Sequence, residues 1–468
     1  MNPFSLQVSN RRGPGEFFSS TLPVFICRAP GRLDLMGGNV DYTGGLVFQR
    51  TIREATWAAV QRRPDHRIIF WNPQMTEANW QECVEFDCTT LTSEEAVKQL
   101  VNASAEVHWT AYVLGAFYWL RLHFPQQASC GAAVFIHSEV PRNKGVSSSA
   151  AIEVSVMKAA SACYGIDLRG IELAEACQWV ENVIADSACG IMDQAASVLG
   201  DEQHVLPLLC QPCLPRPLVR LPDHLRCWAI DSGVSHQVSG IEYEAARAAA
   251  FIGYRMICEW EKLTISRDEA SRIPRFTDPR WCGFLSNVTP SEFRSCYESR
   301  LPELLSGNEI LASGSFHPDP FTSIRPEVNY RVRNCTRYAI EENHRIELFV
   351  ELVGGATNQP ATAAFRQLGE LMFQSHWSYT ECGLGNEATD QIVNLVRKHR
   401  GEDLLFGAKI TGGGAGGTVA VLGSKNGEVA FRRVVSDYGQ LKSFQPYVFE
   451  GSSVGADRFG IEILPEVQ

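Results

Sequence analysis

The segment KITGGGAGGTVAVLG, residues 409–423, sets five glycines in six positions between two runs of β-forming residues. A hairpin turn needs only one or two glycines for its positive φ angles. The surplus strips Cβ atoms from a whole turn, which suits close approach to another backbone or to a bound phosphate. Close approach is favoured over a plain turn, so the fold is expected to bring something against it.

Two more glycine-marked segments precede it, and none of the three carries the G-x-x-x-x-G-K-[ST] pattern of a P-loop. In RAPGRLDLMGGNVDYTGG, residues 28–45, Pro30-Gly31 and Gly37-Gly38 mark turns, with Arg32, Asp34 and Asp41 between and after them. Carboxylates accept two hydrogen bonds at once, so such a segment can bind sugar hydroxyls; it also reads as a hairpin with surface charges. In VPRNKGVSSSAA, residues 140–151, a strand-like run leads through Lys144-Gly145 and three serines into a helical pattern. That order points free backbone N–H groups at an anion, with a serine hydroxyl available to Mg²⁺, and it equally describes a serine-capped helix.

Strand-like runs (VFICRAP, IREATWAAVQRR, GAAVFIHSEVP) alternate with helix-like ones before a Pro-rich stretch at residues 206–224. In LRGIELAEACQWVENVIA, Leu173, Cys177, Val180 and Ile184 recur at the spacing of one helix face. Beyond the Pro-rich stretch, CWAIDSGV, IELFVELVG and LLFGAKITGGG read as strands, and IEYEAARAAAFIGYRMICEW and ATAAFRQLGELMFQSHWSY as helices. The pattern predicts an α+β chain of two domains, residues 1–215 and 216–468, with an irregular elaboration at about 262–320.

The chain has 468 residues, 45% hydrophobic and 20% charged, enough for two cores, and a net charge of −11 that argues against general binding to nucleic acid or anionic membrane. It has neither a signal-like start nor an apolar run of membrane-spanning length, and reads as cytoplasmic. The 15 cysteines are scattered through apolar segments, and Cys210-Gln211-Pro212-Cys213 lacks a second pair to complete a zinc site. They read as small core residues of a reducing compartment.

In chain order and detail the three segments resemble the signature motifs of the GHMP kinase superfamily, in its galactokinase branch. CGIMDQAAS, DSGVSHQVSGIEY and ELMFQSHWSY extend the likeness. The resemblance implies a ribosomal protein S5 domain 2-like N-terminal domain, a ferredoxin-like C-terminal domain, and ATP and a phosphate acceptor in the cleft between them. It implies that Lys144, Gly145, Val146, Ser147, Ser148, Ser149 and Ala150, with Gly413 and Gly414, hold ATP, and that Ser149 and Glu181 hold Mg²⁺. Asp193 matches the catalytic aspartate and Arg32 the arginine beside it, a pair suited to phosphoryl transfer: the aspartate takes a hydroxyl proton and the arginine offsets growing charge. Asp41, Gly38, Asn39, Gly190 and Tyr243 match sugar contacts. Trp109 matches an aromatic residue near adenine, although so apolar a helix also suits it to the core.

Where galactokinases show Gly-Glu-His-x-Asp-Tyr, this chain reads Gly37-Gly38-Asn39-Val40-Asp41-Tyr42. Losing the pair that serves C6 suits a sugar without that carbon, since a site built for a hydroxyl is left unpaired when the hydroxyl is missing. LLCQPC, DSGVSH and the stretch from GGATNQP to TECGLG resemble the kinase part of plant-type L-arabinokinases. The expected activity is ATP-dependent phosphorylation of L-arabinose at C1, with galactose or a uronic acid as alternative substrates and a non-catalytic sugar sensor as the alternative of another class. The unbroken serine loop favours the enzyme. The expected partners are sugar and ATP alone, in a monomer or weak homo-oligomer.

Overall fold

The computed structural model describes residues 2–13, 15–235, 240–268, 274–314, 317–356 and 362–466. Parts of two stretches read above, residues 236–239 of DSGVSHQVSGIEY and 357–361 of GGATNQPA, lie outside the described residues.

The first half of the chain builds a large sheet. Its strands are β1 (Val24–Met36), β2 (Leu46–Arg62), β3 (Arg67–Trp71), β4 (Cys83–Asp87), β5 (Ala132–Ser138) and β6 (His204–Leu209). β2 is long enough to serve two partners besides β1: residues 46–49 pair with β6 and residues 56–62 with β5. β1 and β2 are buried along nearly their whole length, whereas β4 alternates buried and exposed side chains as an edge strand does. The β1–β2 register shifts between Pro30 and Arg32 and again between Asp34 and Met36, the places where this strand must re-aim side chains. Helix α1 (Ser148–Cys163) packs across β1 and β2, and α2 (Gly170–Trp179) and α3 (Met192–Leu199) pack beside it.

The Pro-rich stretch carries the chain out of this sheet through two short strands paired to β6, and the next strand, β7 (Leu225–Asp231), belongs to a second sheet. There β8 (Leu405–Ile410), β9 (Thr418–Ser424), β7 and β10 (Val448–Glu450) lie antiparallel in that order. Trp228, Phe373, Ile392, Val396 and Phe431 join this sheet to its helices in a separate core cluster. The last strand, β11 (Glu462–Leu464), crosses back and pairs with β1.

Helix α4 (Ile241–Trp260) matches the helix read from the sequence end to end. IELFVELVG does not form a strand. It completes helix α5 (Val332–Gly355), whose buried Cys335, Tyr338, Glu342, Ile346, Phe349 and Val353 recur every three or four residues. Local β-forming composition misled because the amphipathic period shows only over the full helix. Helix α6 (Thr362–Glu381) packs against α5 and β8. Cys210 and Cys213 are buried and unbridged. No helix among the described residues is long and apolar enough to cross a membrane.

Candidate active site

The serine segment begins α1 without a cap. Ser147 lies in the left-handed region (φ 63°) and makes no side-chain capping bond; its Oγ is buried with no partner among the described residues. The first helical bond runs from Ala151 N–H to the Ser147 carbonyl at 3.1 Å, so the preceding amides at the helix start have no carbonyl one turn back. Unpaired amides at a helix start form a cradle that an anion would fit. Glycines let both sheets grip it: a Cβ on Gly31 would stand 2.5 Å from the Val146 carbonyl oxygen, and one on Gly412 (φ 69°) 2.6 Å from that of Gly145. Thr418 Oγ1 donates to the Lys144 carbonyl at 2.8 Å. Gly413 and Gly414 follow in the same turn, Gly414 with φ 86° against Tyr379 and Leu384. Val146 and Ala150 are buried beneath the cradle. Lys144 Nζ lies 2.9 Å from Asp231 Oδ2, so its charge is answered from the end of β7.

Arg32, 3% exposed, connects this loop to the start of α3. Its Nε donates to Asp193 Oδ1 at 2.8 Å, Nη2 lies 2.7 Å from the same oxygen, and Nη1 donates to the Gly145 carbonyl at 2.7 Å. Asp193 sits in the first turn of α3, where the helix dipole complements a carboxylate.

Glu181 stands on a single π-helical turn, Val180–Ile184, that extends α2, and its side chain is buried. Gln194, next to Asp193, donates from Nε2 to Glu181 Oε2 at 2.5 Å and to Glu153 Oε2 at 3.2 Å. Burial, then the neighbouring Asp193, pushes the Glu181 carboxyl up to about 7 against the pull of Ser149. Burial and Glu181 drive Glu153 well above the usual carboxylate range. Sequence reading missed Glu153 and Gln194. The available signal was an acid one helical turn after Ser149, among the apolar Ile152, Val154, Val156 and Met157.

Opposite these, the first glycine segment forms a tight wall. Asp41 is buried, takes the Tyr42 N–H at 2.9 Å, and packs so closely on Gly190 that a Cβ there would stand 1.9 Å from its Oδ2. Burial, then Asp193, pushes its carboxyl up to about 7, against the pull of Arg247. Tyr243 is buried with its ring edge-on to Tyr42 at 6.2 Å. At Gly38 (φ 53°), a Cβ would lie 2.5 Å from Tyr338 Oη and 3.0 Å from the Tyr379 ring. Asn39 Nδ2 is buried without a partner among the described residues.

Two readings change. Asp34 is not open to a sugar: fully buried, it accepts from Gly38 N–H (2.7 Å), Gln49 Nε2 (2.6 Å) and Lys409 Nζ (2.7 Å). Trp109 is packed against Phe70 at 4% exposure, its Nε1–H spent on the Gln81 carbonyl at 3.0 Å, as a core side chain is.

Three family models match the chain: the galactokinase galactose-binding signature at residues 15–62, the GHMP kinases N terminal domain at 111–201 and the GHMP kinases C terminal at 360–440. An L-arabinokinase of Arabidopsis thaliana is 34% identical over 97% of this chain, and the chain spans about half that relative's length, 48%. A galactokinase of Chloroflexus aurantiacus is 28% identical over 89% of this chain and 88% of its own. Among solved structures, Lactococcus lactis galactokinase complexed with galactose superposes with a TM-score of 0.70 at 20% identity, covering 92% of this chain and 94% of that one. Methanococcus jannaschii mevalonate kinase gives 0.56 at 14% identity, covering 92% and 98%. At those identities the two structures speak for the shared fold.

Proposed function

The chain belongs to the GHMP kinase family, with galactokinases and L-arabinokinase among its relatives, and on that premise we propose that it transfers the γ-phosphoryl group of ATP to the anomeric hydroxyl of a monosaccharide, L-arabinose first. One observation carries the reading: Arg32 holds Asp193 with one edge of its guanidinium and the carbonyl of the phosphate loop with another. The proton acceptor and the phosphate cradle are thus tied to one rigid cation.

Asp193 receives the proton of the C1 hydroxyl as the oxygen attacks, and Arg32 offsets charge gathering on the transferred group. The amides at the start of α1, from Ser148 onward, hold the phosphates, and Lys144 adds a point charge when it leaves Asp231. The hydroxyl of Ser149 beside the Glu181 carboxylate fits Mg²⁺, a hard ion that takes one or two protein oxygens and the nucleotide's phosphates. The ion would neutralise charge on the triphosphate.

The choice of L-arabinose draws support from two facts. Tyr338 and Tyr379 fill the space that a side chain at position 38 would need, so the Glu that galactokinases carry there has no room here, while buried Asn39 offers its amide N–H groups. Identity is also higher to the L-arabinokinase (34%) than to the galactokinase (28%). The test is kcat/KM on L-arabinose, D-galactose, D-galacturonate and D-glucuronate with ATP. The highest value is expected on L-arabinose; the highest on galactose overturns that choice, and turnover of none favours the sensor.

A further inference from the structure

Arg247, on α4, belongs to none of the three glycine-marked segments. It is 3% exposed, and its guanidinium lies over two rings, 4.9 Å from the centroid of Tyr42 and 5.5 Å from that of Phe321. One edge is committed: Nε and Nη2 donate to the two oxygens of buried Asp319 at 2.9 and 2.8 Å, and Thr322 Oγ1 also donates to Asp319 at 2.6 Å. These ring contacts and this fork hold the group in place. Nη1 is left buried with no hydrogen-bond partner among the described residues. An orphaned donor on a cation buried this deeply is costly unless a ligand meets it.

The cavity at hand is lined by Arg247 together with Asp41 and Gly190, two of the residues read as sugar contacts, and its other walls include Phe251, Phe284 and Phe321. Arg247 forms its ion pair with Asp319, not with Asp41. A neutral hydroxyl between the two would accept from Arg247 Nη1 and donate to the Asp41 carboxylate. A sugar carboxylate suits the place less, because Asp319 already neutralises the guanidinium and Asp41 faces the same space.

Building on the sugar-kinase reading above, we infer that Arg247 is a further sugar-binding residue, its Nη1 donating to a ring hydroxyl that in turn donates to Asp41. The irregular segment that follows α4 thereby contributes to the site through Asp319, which orients Arg247 toward the sugar.

Removing Arg247 alone would strand Asp319, so the test uses the full chain with two variants. R247M/D319N deletes both charges together, and R247K keeps a cation for Asp319 without the third edge of the fork. Calorimetric titration with L-arabinose, D-galactose and their monodeoxy forms, and separately with MgATP, is expected to show Kd for the tighter sugar weakened at least tenfold in both variants and Kd for MgATP within twofold. A purely structural role would weaken every monodeoxy sugar alike. Direct contact predicts one deoxy position that costs wild type at least tenfold and the variants less than threefold. Sugar Kd unchanged within threefold in both variants overturns the inference, as does a wild-type protein that binds neither sugar. Wild type that binds sugar but never consumes ATP sinks the kinase reading and leaves this one standing.

Discussion

Lys409 Nζ lies 2.7 Å from Asp34 Oδ2 with both side chains out of solvent, a direct tie between the strand that leads into the glycine-rich turn and the wall that carries Gly38. Asp34 also takes the amide of Gly38, and its own N–H donates to Thr411 at 2.7 Å. Removing one member of a buried pair leaves an uncompensated charge, at a typical cost of about 3–5 kcal/mol. Asp34→Asn is therefore expected to lower unfolding stability in urea by that order. Asp34→Asn combined with Lys409→Met should recover at least half of the loss; no recovery would mean that the charges are not coupled.

Asp193→Asn keeps the shape and the contact with Arg32 but removes the proton acceptor. The expected result is a loss of about 10²–10⁴-fold in kcat with sugar Kd within threefold, read from steady-state rates and calorimetry. Near-normal kcat would take Asp193 out of the chemistry and leave it as a partner that holds Arg32 in place.

The parts legible in the sequence are those where chemistry forces local composition. Gly31 and Gly412 announce close backbone approach, and the strand, serine loop and helix of residues 132–163 fold as their patterns say. Long-range choices were not legible. Asp34 and Asp41 look alike on one turn-bounded segment, and only the tertiary position of Lys409 decides that the first is structural and the second faces the site. Arg247 carries no signal of its own on an Ala-rich helix; what singles it out is Asp319, which folds against it from a segment without periodicity. IELFVELVG became helix because its Ile346, Phe349 and Val353 continue the buried stripe of α5, Phe349 against Phe48 of β2.

Space around Gly38 predicts a failed exchange. Restoring the galactokinase pair as Gly38→Glu with Asn39→His puts a side chain where φ is 53° and where Tyr338 Oη and the Tyr379 ring already stand. The left-handed backbone alone costs about 1–2 kcal/mol for a non-glycine residue. The double variant is expected to show a lowered Tm and no gain in kcat/KM on galactose. Adding Tyr338→Phe, which removes the nearest clashing atom, should return part of the Tm. A gain on galactose without that relief would contradict the packing argument.

Burial gives the site a pH dependence whose sign can be worked out. Asp41 and Glu181 are each pushed up to about 7, whereas carboxyls of an unfolded chain titrate near 4. Between those values the native state keeps protons that the unfolded state has lost, so their contribution to stability, full below about pH 4, fades as pH rises through about 7. Ligand-free Glu181→Gln should therefore gain in Tm over wild type as pH goes from 5 to 8. Metal binding runs the other way, because a carboxylate must shed its proton to hold Mg²⁺. Wild-type Kd for MgATP should tighten between pH 6 and 8, and Glu181→Gln should lose most of that slope along with affinity. An equal slope in both proteins would remove Glu181 from the metal set, whereas a flat Tm difference would contradict its raised proton affinity.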